Sequence, residues 1–263
     1  MAAIDVFDLT GRVAVVTGGS RGLGREMVLA FAEQGADVVI ASRKLDNCER
    51  VAREVEALGR RAIPVAYHAG EWDAAGRLTE LVYDEFGRCD VLVNNAGMSP
   101  LYPSVDAITE ELYDKVVGVN LKGPFRLSAL IGTRMQEAVR GGRQTGGSII
   151  FVSSIASHRP TPHELVYGAA KAGVNNLTKG LAATFGPEVR VNCIVPGPFL
   201  TDISKAWDLE AFESAAQRSF ALGRGGQPHE IVGAALYFAS DASSYTTGSL
   251  LDIDGGPRTS VTT

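Results

Sequence analysis

The sequence predicts an α/β fold in which helices cover both faces of a parallel sheet. Short β-branched runs alternate with longer stretches at helical spacing along the whole chain, which indicates alternating strands and helices. The early strands, such as Val13-Ala14-Val15-Val16, are too apolar to have a face in water, as in sheets that are covered on both sides. No repeat, low-complexity tract or linker divides the 263 residues. We therefore expect a single doubly wound domain over residues 1–263.

In the first half of the chain, apolar runs predict the strands and glycines predict where the helices end. A helix with apolar residues at helical spacing follows the first strand and ends at Gly35. A charged amphipathic helix follows the second strand and ends at Gly59, and a further helix follows the third strand and ends at Gly87. The predicted order is strand 13–16, helix 23–34, strand 38–41, helix 45–58, strand 62–66, helix 74–86 and strand 90–93.

In the second half, a capping residue and a glycine-rich turn mark the boundaries. Thr109 can cap a helix, and Glu110 and Glu111 follow it near the positive end of the helix dipole. We expect one long helix over 109–138, separated from the fifth strand by the turn 141–147. The later elements are strand 148–152, helix 166–185, strand 190–195, helices near 209–216 and 228–239, and strand 250–253.

Composition argues against several classes of partner. With 25 basic and 30 acidic residues the net charge is −5 and the bases are scattered, so neither nucleic acid nor an anionic membrane is expected as a partner. Cys48, Cys89 and Cys193 are odd in number and lack metal-ligand spacing, so we predict buried or half-buried thiols without a disulfide framework or a zinc site. Membrane-spanning runs and an export signal are not evident. We expect a soluble, cytoplasmic protein.

A glycine-rich loop between the first strand and the first helix predicts a nucleotide site. Glycines permit a tight turn and a close approach of a diphosphate, and the helix N-terminus faces the anion. The spacing is G-x-x-x-G-x-G, and the alternative is an ordinary glycine-rich turn. The residues predicted to bind the cofactor here are Gly18, Ser20, Arg21, Gly22, Leu23 and Gly24.

The end of the second strand predicts NADP(H) in preference to NAD(H). An acid at this point holds the ribose 2′-hydroxyl of NAD, whereas an arginine accommodates a 2′-phosphate. Here the strand ends at Ser42 and Arg43, and Arg21 of the loop could reach the same phosphate. The alternative is that Arg43 starts the next helix and pairs with Asp46 or Asn47.

The fifth strand leads through Ser154 and a proline-bearing loop into a helix with Tyr167 and Lys171. Residues four apart share a helix face, so the phenol and the ammonium should lie together. A free tyrosine ionises near ~10, and a nearby positive charge would bring its pKa towards neutrality. A tyrosine and a lysine at this spacing carry little meaning by themselves, since many solvated helices have them by chance.

These residues occur together with further motifs along the chain. They are the glycine-rich loop, Asn94-Asn95-Ala96-Gly97, Asn120, Ser154, Tyr167-x-x-x-Lys171 and Pro196-Gly197. On these residues the chain resembles the classical short-chain dehydrogenases/reductases over nearly its whole length. The resemblance implies a Rossmann fold with a seven-stranded parallel sheet. It also implies an oxidoreductase that interconverts a carbonyl and a secondary alcohol by hydride transfer.

The resemblance assigns roles to the catalytic residues. It makes Tyr167 the general acid/base and Lys171 a ligand of the cofactor ribose whose charge lowers the tyrosine pKa. It makes Ser154 a donor to the substrate oxygen and Asn120 the anchor of a proton-relay water. Ser154 stands thirteen positions before Tyr167, the usual family spacing, and Ser153 should point to the opposite side of the strand.

Further cofactor contacts are implied by the same resemblance. The ribose is bordered by the loop after the fourth strand, and the nicotinamide carboxamide is met by the segment after the sixth. In the third-strand loop a histidine occupies the position where the family commonly has an adenine-binding aspartate. The residues concerned are His68, Asn94, Ala96, Gly97, Tyr167, Lys171, Pro196, Gly197 and Thr201.

The sequence leaves the substrate open. The predicted rim of the substrate site is mostly apolar and consists of Met98, Ser99, Ile155, His163, Phe199, Leu200 and Trp207. His158, Arg159 and His163 could meet a polar group or could be partly solvated loop residues. The resembled family includes 3-oxoacyl-thioester reductases, sugar and polyol dehydrogenases, and steroid or xenobiotic ketone reductases. The resemblance also implies a homotetramer or homodimer. A non-catalytic NADP-binding sensor or scaffold is the alternative function.

Overall fold

The computed structural model describes residues 5–201, 204 and 208–258. Seven parallel strands form one sheet, which confirms the predicted fold class and strand count. The strands are β1 (Val13–Thr17), β2 (Asp37–Ser42), β3 (Ala62–Ala66), β4 (Val91–Asn94), β5 (Gly147–Val152), β6 (Val189–Pro196) and β7 (Leu250–Ile253). The helices are α1 (Gly22–Glu33), α2 (Leu45–Ala57), α3 (Trp72–Phe86), α4 (Glu110–Val117), α5 (Gly123–Arg140), α6 (Leu165–Phe185), α7 (Leu209–Ser219) and α8 (Val232–Ala239).

Alternating side chains of the strands feed two separate cores, one on each face of the sheet. In β1, Ala14 and Val16 join a core with residues of α1, α2 and α8. Val15 points to the other face, where α3, α5 and α6 contribute the helical side of a second core. All five residues of β1 are buried, because each face of a central strand is covered by helices. The three cysteines are buried free thiols, as predicted.

The strand order places a crevice at the centre of the sheet. The order is β3-β2-β1-β4-β5-β6-β7, so the chain crosses between β1 and β4 and the connections reverse direction there. Thr17 of β1 pairs with Ala41 of β2 on one side and with Asn94 of β4 on the other. In doubly wound sheets ligands bind at the carboxyl ends of the strands at this switch point. Within the described residues no helix has the length and apolarity needed to cross a membrane.

The long helix predicted over 109–138 is interrupted, so that prediction was wrong in one respect. Thr109 does cap α4, since its hydroxyl oxygen accepts a hydrogen bond from the backbone N–H of Leu112 at 3.2 Å. A π-helical turn, Gly118–Lys122, then separates α4 from α5. The side-chain amide of Asn120 donates to the carbonyl oxygen of Val116 at 2.9 Å. A side chain thus satisfies a helix carbonyl within the widened turn, which helical periodicity cannot predict.

Candidate active site

The glycine-rich loop forms a cradle at the carboxyl end of β1. Gly18 and Gly22 have φ of +68° and +53°, values that side-chain-bearing residues rarely adopt. A Cβ atom at Gly24 would overlap the carbonyl oxygen of Gly18 and would lie 2.6 Å from Nδ2 of Asn95. Arg21, at the N-cap of α1, makes no side-chain cap, which leaves the helix N-terminus to an anion. The loop therefore fits the diphosphate of a dinucleotide.

Two residues outside the predicted site hold this loop in place. The Thr17 hydroxyl donates to the carbonyl oxygen of Val93 and accepts from the backbone N–H groups of Asn95 and Ala96, at 3.0–3.2 Å. The side-chain amide of Asn95 donates to the carbonyl oxygens of Thr17 and Gly18 at 3.0 and 3.2 Å. The sequence signal that could have found them is a polar residue at the end of each of two neighbouring parallel strands, β1 and β4.

The substitution Gly24→Ala is expected to abolish nucleotide binding. The added methyl group cannot fit against the Gly18 carbonyl and the Asn95 amide, so the loop and the start of α1 must separate. Gly76 provides the control, because its Cβ position in α3 is open. Nucleotide titration followed by thermal shift measures the effect: Gly76→Ala should keep the wild-type shift, and normal binding by Gly24→Ala would contradict the cradle.

The basic residues predicted to select NADP(H) lie at the same edge of the sheet. The backbone N–H of Gly18 donates to the carbonyl oxygen of Ala41 at 2.7 Å, which joins the loop to the end of β2. Arg21 and Arg43 are exposed. Among the described residues, the Arg43 guanidinium forms no hydrogen bond or ion pair with Asp46 or Asn47, although its exposure just before α2 agrees with the alternative of a solvated residue at the helix start. Ser42 is half-buried and Ser20 is buried.

Apart from Tyr167 and Lys171, the remaining predicted cofactor residues stand at or shortly after the carboxyl ends of β3, β4 and β6. Asn94 donates to the Ser128 hydroxyl at 2.9 Å, and Nδ1 of His68 accepts from the backbone N–H of Gly70 at 3.2 Å. Gly197 packs so closely on Asp254 that an added Cβ would lie 2.7 Å from its Cα. A Cβ on Gly22 would lie 3.5 Å from the side chain of Thr201. The segment after β6 thus reaches across to the glycine-rich loop.

Ser154 and Tyr167 form the centre of the predicted catalytic constellation. Burial raises the pKa of Tyr167, a hydrogen bond with the Ser154 side chain lowers it, and the Glu164 charge raises it, with a net upward shift. The neighbouring Ser153 is buried and donates to the backbone carbonyl of Lys171 at 3.1 Å. The two serines therefore point to different sides, as strand alternation predicts.

Lys171 lies one helical turn beyond Tyr167 in a buried position. Only 3% of the residue is exposed, and Nζ donates to the carbonyl oxygen of Val152 at 2.8 Å. Nζ is 5.7 Å from the centre of the Tyr167 ring. Burial lowers the pKa of Lys171 to about 8. The expected lowering of the tyrosine pKa is not found in the chain alone, because burial of the phenol outweighs the opposing interactions.

Asn120 lies beside this lysine and joins the loop after β4 to the π-helical turn. A Cβ on Gly97 would be 3.0 Å from Oδ1 of Asn120 and 3.6 Å from Nζ of Lys171. The Asn120 amide donates to the Met98 carbonyl at 2.8 Å, and its Oδ1 accepts from the Met98 N–H at 3.2 Å. The side chain, which is fully buried, thus positions the loop, and a role in a water relay remains a prediction.

Two of the three basic loop residues predicted as possible substrate contacts face the C-terminal strand instead. Nε2 of His158 lies 3.5 Å from Oδ1 of Asp252. The guanidinium of Arg159 pairs with Asp254 at 2.5 Å. Both carboxylates are almost a hundred residues away in sequence, so their proximity could not be predicted from local patterns. His163 lines an apolar cleft beside Tyr167.

An apolar cleft opens beside Tyr167. Of the predicted rim residues, His163 lines it, and Trp207 lies outside the described residues. Glu164 is the one Asp, Glu, Lys or Arg side chain among the described residues that line it. The lining consists of Pro100, Tyr102, Ile108, Leu112, Val116, His163, Glu164, Val166 and Tyr167.

Comparison with known proteins agrees with this geometry. Residues 18–258 match the family model described as Enoyl-(Acyl carrier protein) reductase. The chain is 36% identical over 253 residues to the 3-oxoacyl-[acyl-carrier-protein] reductase of Thermotoga maritima, covering 94% of this chain and 98% of the relative. It is 38% identical over 255 residues to the L-rhamnose 1-dehydrogenase (NAD(P)(+)) of Azotobacter vinelandii, covering 94% and 97%.

Solved structures show the same architecture. A 3-oxoacyl (acyl-carrier-protein) reductase from Agrobacterium tumefaciens with NADP bound has a TM-score of 0.89 at 30% identity, covering 97% of this chain and 98% of that one. A 7α-hydroxysteroid dehydrogenase complexed with NADH and a 7-oxo bile acid has a TM-score of 0.91 at 29% identity, with 98% of both chains covered. Together with the Ser154, Tyr167 and Lys171 arrangement, these matches show that the chain belongs to the short-chain dehydrogenase/reductase family.

Proposed function

We propose that the protein is an NADP(H)-dependent oxidoreductase that interconverts a carbonyl compound and a secondary alcohol. The observation that carries the proposal is Tyr167, which lines the cleft and whose pKa is raised by burial and lowered by the neighbouring Ser154 side chain. Lys171 lies one turn along the same helix. The glycine-rich cradle at the same sheet edge fits the dinucleotide that would supply or accept the hydride.

In the reducing direction, Tyr167 gives its proton to the carbonyl oxygen as negative charge develops there. Its raised pKa keeps the phenol protonated in the resting chain, which suits a proton donor. Ser154 donates a hydrogen bond to the same oxygen and orients it. Lys171 is still mostly protonated at pH 7, since its pKa is about 8, and its charge favours the phenolate that remains after transfer. In the oxidising direction the phenolate accepts the proton again.

NADP(H) is proposed as the preferred cofactor. No acid follows β2 until Asp46, and the residue after Ser42 is the exposed Arg43. A second exposed guanidinium, that of Arg21, stands at the start of α1. Guanidinium groups form strong charge-assisted bonds with a phosphate, so two of them at one sheet edge support recognition of the 2′-phosphate.

The substitution Arg43→Asp is expected to shift the preference from NADP(H) towards NAD(H). The carboxylate repels the 2′-phosphate and can hold a 2′-hydroxyl. We expect kcat/KM with NADPH to fall at least about tenfold, the scale of one lost charge-assisted bond. Arg53→Asp on α2 makes the same charge change at an exposed position and should leave both cofactors unaffected. Unchanged kinetics with both cofactors in Arg43→Asp would contradict the assignment.

The cleft supports an uncharged carbonyl compound of modest size as substrate. Its walls are mostly apolar, and Glu164 adds a negative charge close to Tyr167, which disfavours a carboxylate next to the reacting carbon. Among the substrate classes of the relatives, a ketone with a small apolar body fits this lining best. A cytoplasmic location, a homotetramer or homodimer and a single domain over 1–263 stay predictions.

A nucleotide-binding assay followed by a carbonyl panel tests the function. NADP should raise the melting temperature more than NAD, and NADPH should be consumed with at least one neutral ketone of the panel. Binding without turnover of any carbonyl or alcohol would favour the alternative of an NADP-binding sensor or scaffold. Absence of stabilisation by either nucleotide would overturn the proposal.

A further inference from the structure

The helix that carries Tyr167 begins without a cap from its own sequence. Glu164 occupies the N-cap position of α6 and makes no side-chain cap. Its carboxylate instead accepts a hydrogen bond from the Thr161 hydroxyl at 3.0 Å. The first N–H groups of a helix lack partners within the helix, so the start of α6 needs an acceptor from elsewhere.

Tyr102, on the loop after β4, provides that acceptor. Its hydroxyl accepts a hydrogen bond from the backbone N–H of Leu165, the first residue of α6, at 2.9 Å. The same hydroxyl donates to the carbonyl oxygen of Pro162 at 3.0 Å. The Tyr102 hydroxyl thus makes hydrogen bonds to one residue before α6 and to the first residue of α6, which lies 63 positions away in sequence. The ring of Tyr102 also lines the cleft beside Tyr167.

The position of Tyr167 makes this contact matter for the reaction. Tyr167 is the third residue of α6 and lies in the turn that frays most readily. From Gly168 onward the helix is held by packing, since a Cβ there would lie 2.7 Å from the Ala156 carbonyl oxygen. Lys171 is buried one turn later. Loosening of the first turn would therefore displace the phenol and leave the lysine in place.

We propose that Tyr102 is a positioning residue whose hydroxyl caps α6 from outside the helix and holds Tyr167 in its reactive orientation. The inference rests on the proposed function. The Tyr102 hydroxyl also joins the two walls of the cleft, which are the loop after β4 and the start of α6. Asn120 anchors this loop at Met98. The loop after β4 and the start of α6 then move as one unit.

The substitution Tyr102→Phe tests the proposal, because it keeps the ring in the cleft and removes both hydrogen bonds. We expect kcat to fall about tenfold or more, as small misplacements of reacting groups do, with KM for NADPH within about twofold. Hydrogen exchange should accelerate at residues 165–167 and stay unchanged at 171–185. Tyr113→Phe on α4 is the control, since that side chain is 51% exposed, and should match the wild type in both measurements.

Each other outcome overturns the inference. Wild-type kcat in Tyr102→Phe, or unchanged exchange at 165–167, would show that the hydroxyl does not position Tyr167. A uniform acceleration along α6 together with weakened NADPH binding would show a general structural role. If the wild-type protein reduces no carbonyl, the proposed function fails, and the exchange measurement still decides whether Tyr102 caps the helix.

Discussion

Replacement of Tyr167 by phenylalanine is expected to lower kcat by about 100- to 10,000-fold, the usual contribution of a positioned general acid. The ring keeps its packing at the start of α6, and only the hydroxyl, whose pKa burial raises and the Ser154 side chain lowers, is lost. Tyr102 is the other tyrosine among the described residues that line the cleft. Tyr102 uses its hydroxyl for the helix start.

Steady-state kinetics with NADPH and the best ketone of the panel measure this loss. The NADPH affinity, measured from the melting temperature at increasing NADPH concentrations, should stay within about twofold of wild type because the glycine-rich cradle is unchanged. Ser154→Ala should give a smaller loss, since the serine orients the oxygen and gives up no proton. Near wild-type turnover by Tyr167→Phe would show that Tyr167 is not the general acid/base.

Lys171→Met is expected to abolish activity and to raise the stability of the cofactor-free protein. The folded-state pKa of Lys171, about 8, lies below the ordinary value of 10.5, so folding disfavours its protonated form by roughly 3 kcal/mol. Methionine fills a similar volume without this cost. Loss of the hydrogen bond to the Val152 carbonyl offsets about 1 kcal/mol of this gain in stability. We expect the free energy of unfolding at pH 7 to rise by about 2 kcal/mol.

The pH dependence checks the cause of this stabilisation. Between pH 8 and 10.5 the unfolded wild-type chain binds more protons at Lys171 than the folded chain does. The free energy of unfolding of the wild type should therefore rise with pH through that window. The amount by which Lys171→Met is more stable than the wild type should shrink there. Denaturant unfolding of both proteins at pH 7 and pH 10 measures it. Lys179→Met, at an exposed position of the same helix, should show neither effect, and a destabilised Lys171→Met would contradict the argument.

Much of the fold could be predicted because strand and helix periodicities are local. The apolar runs gave every strand within a few residues, including the fully buried β1 and β5. Strand alternation separated Ser153 from Ser154, and the spacing of four put Tyr167 and Lys171 on one helix face. The carboxyl ends of parallel strands share one edge of a sheet, so the placement of the motifs followed as well.

The sequence by itself determined the alternation of elements, the family motifs and the pairing of Tyr167 with Lys171, because these depend on neighbours along the chain. Only the tertiary structure decided the partners of His158 and Arg159, the π-helical turn at Asn120 and the cap that Tyr102 provides for α6. It also decided the direction of the Tyr167 pKa shift, since burial depends on the surrounding fold. These contacts join segments that are distant in sequence, and local patterns do not record which of them meet.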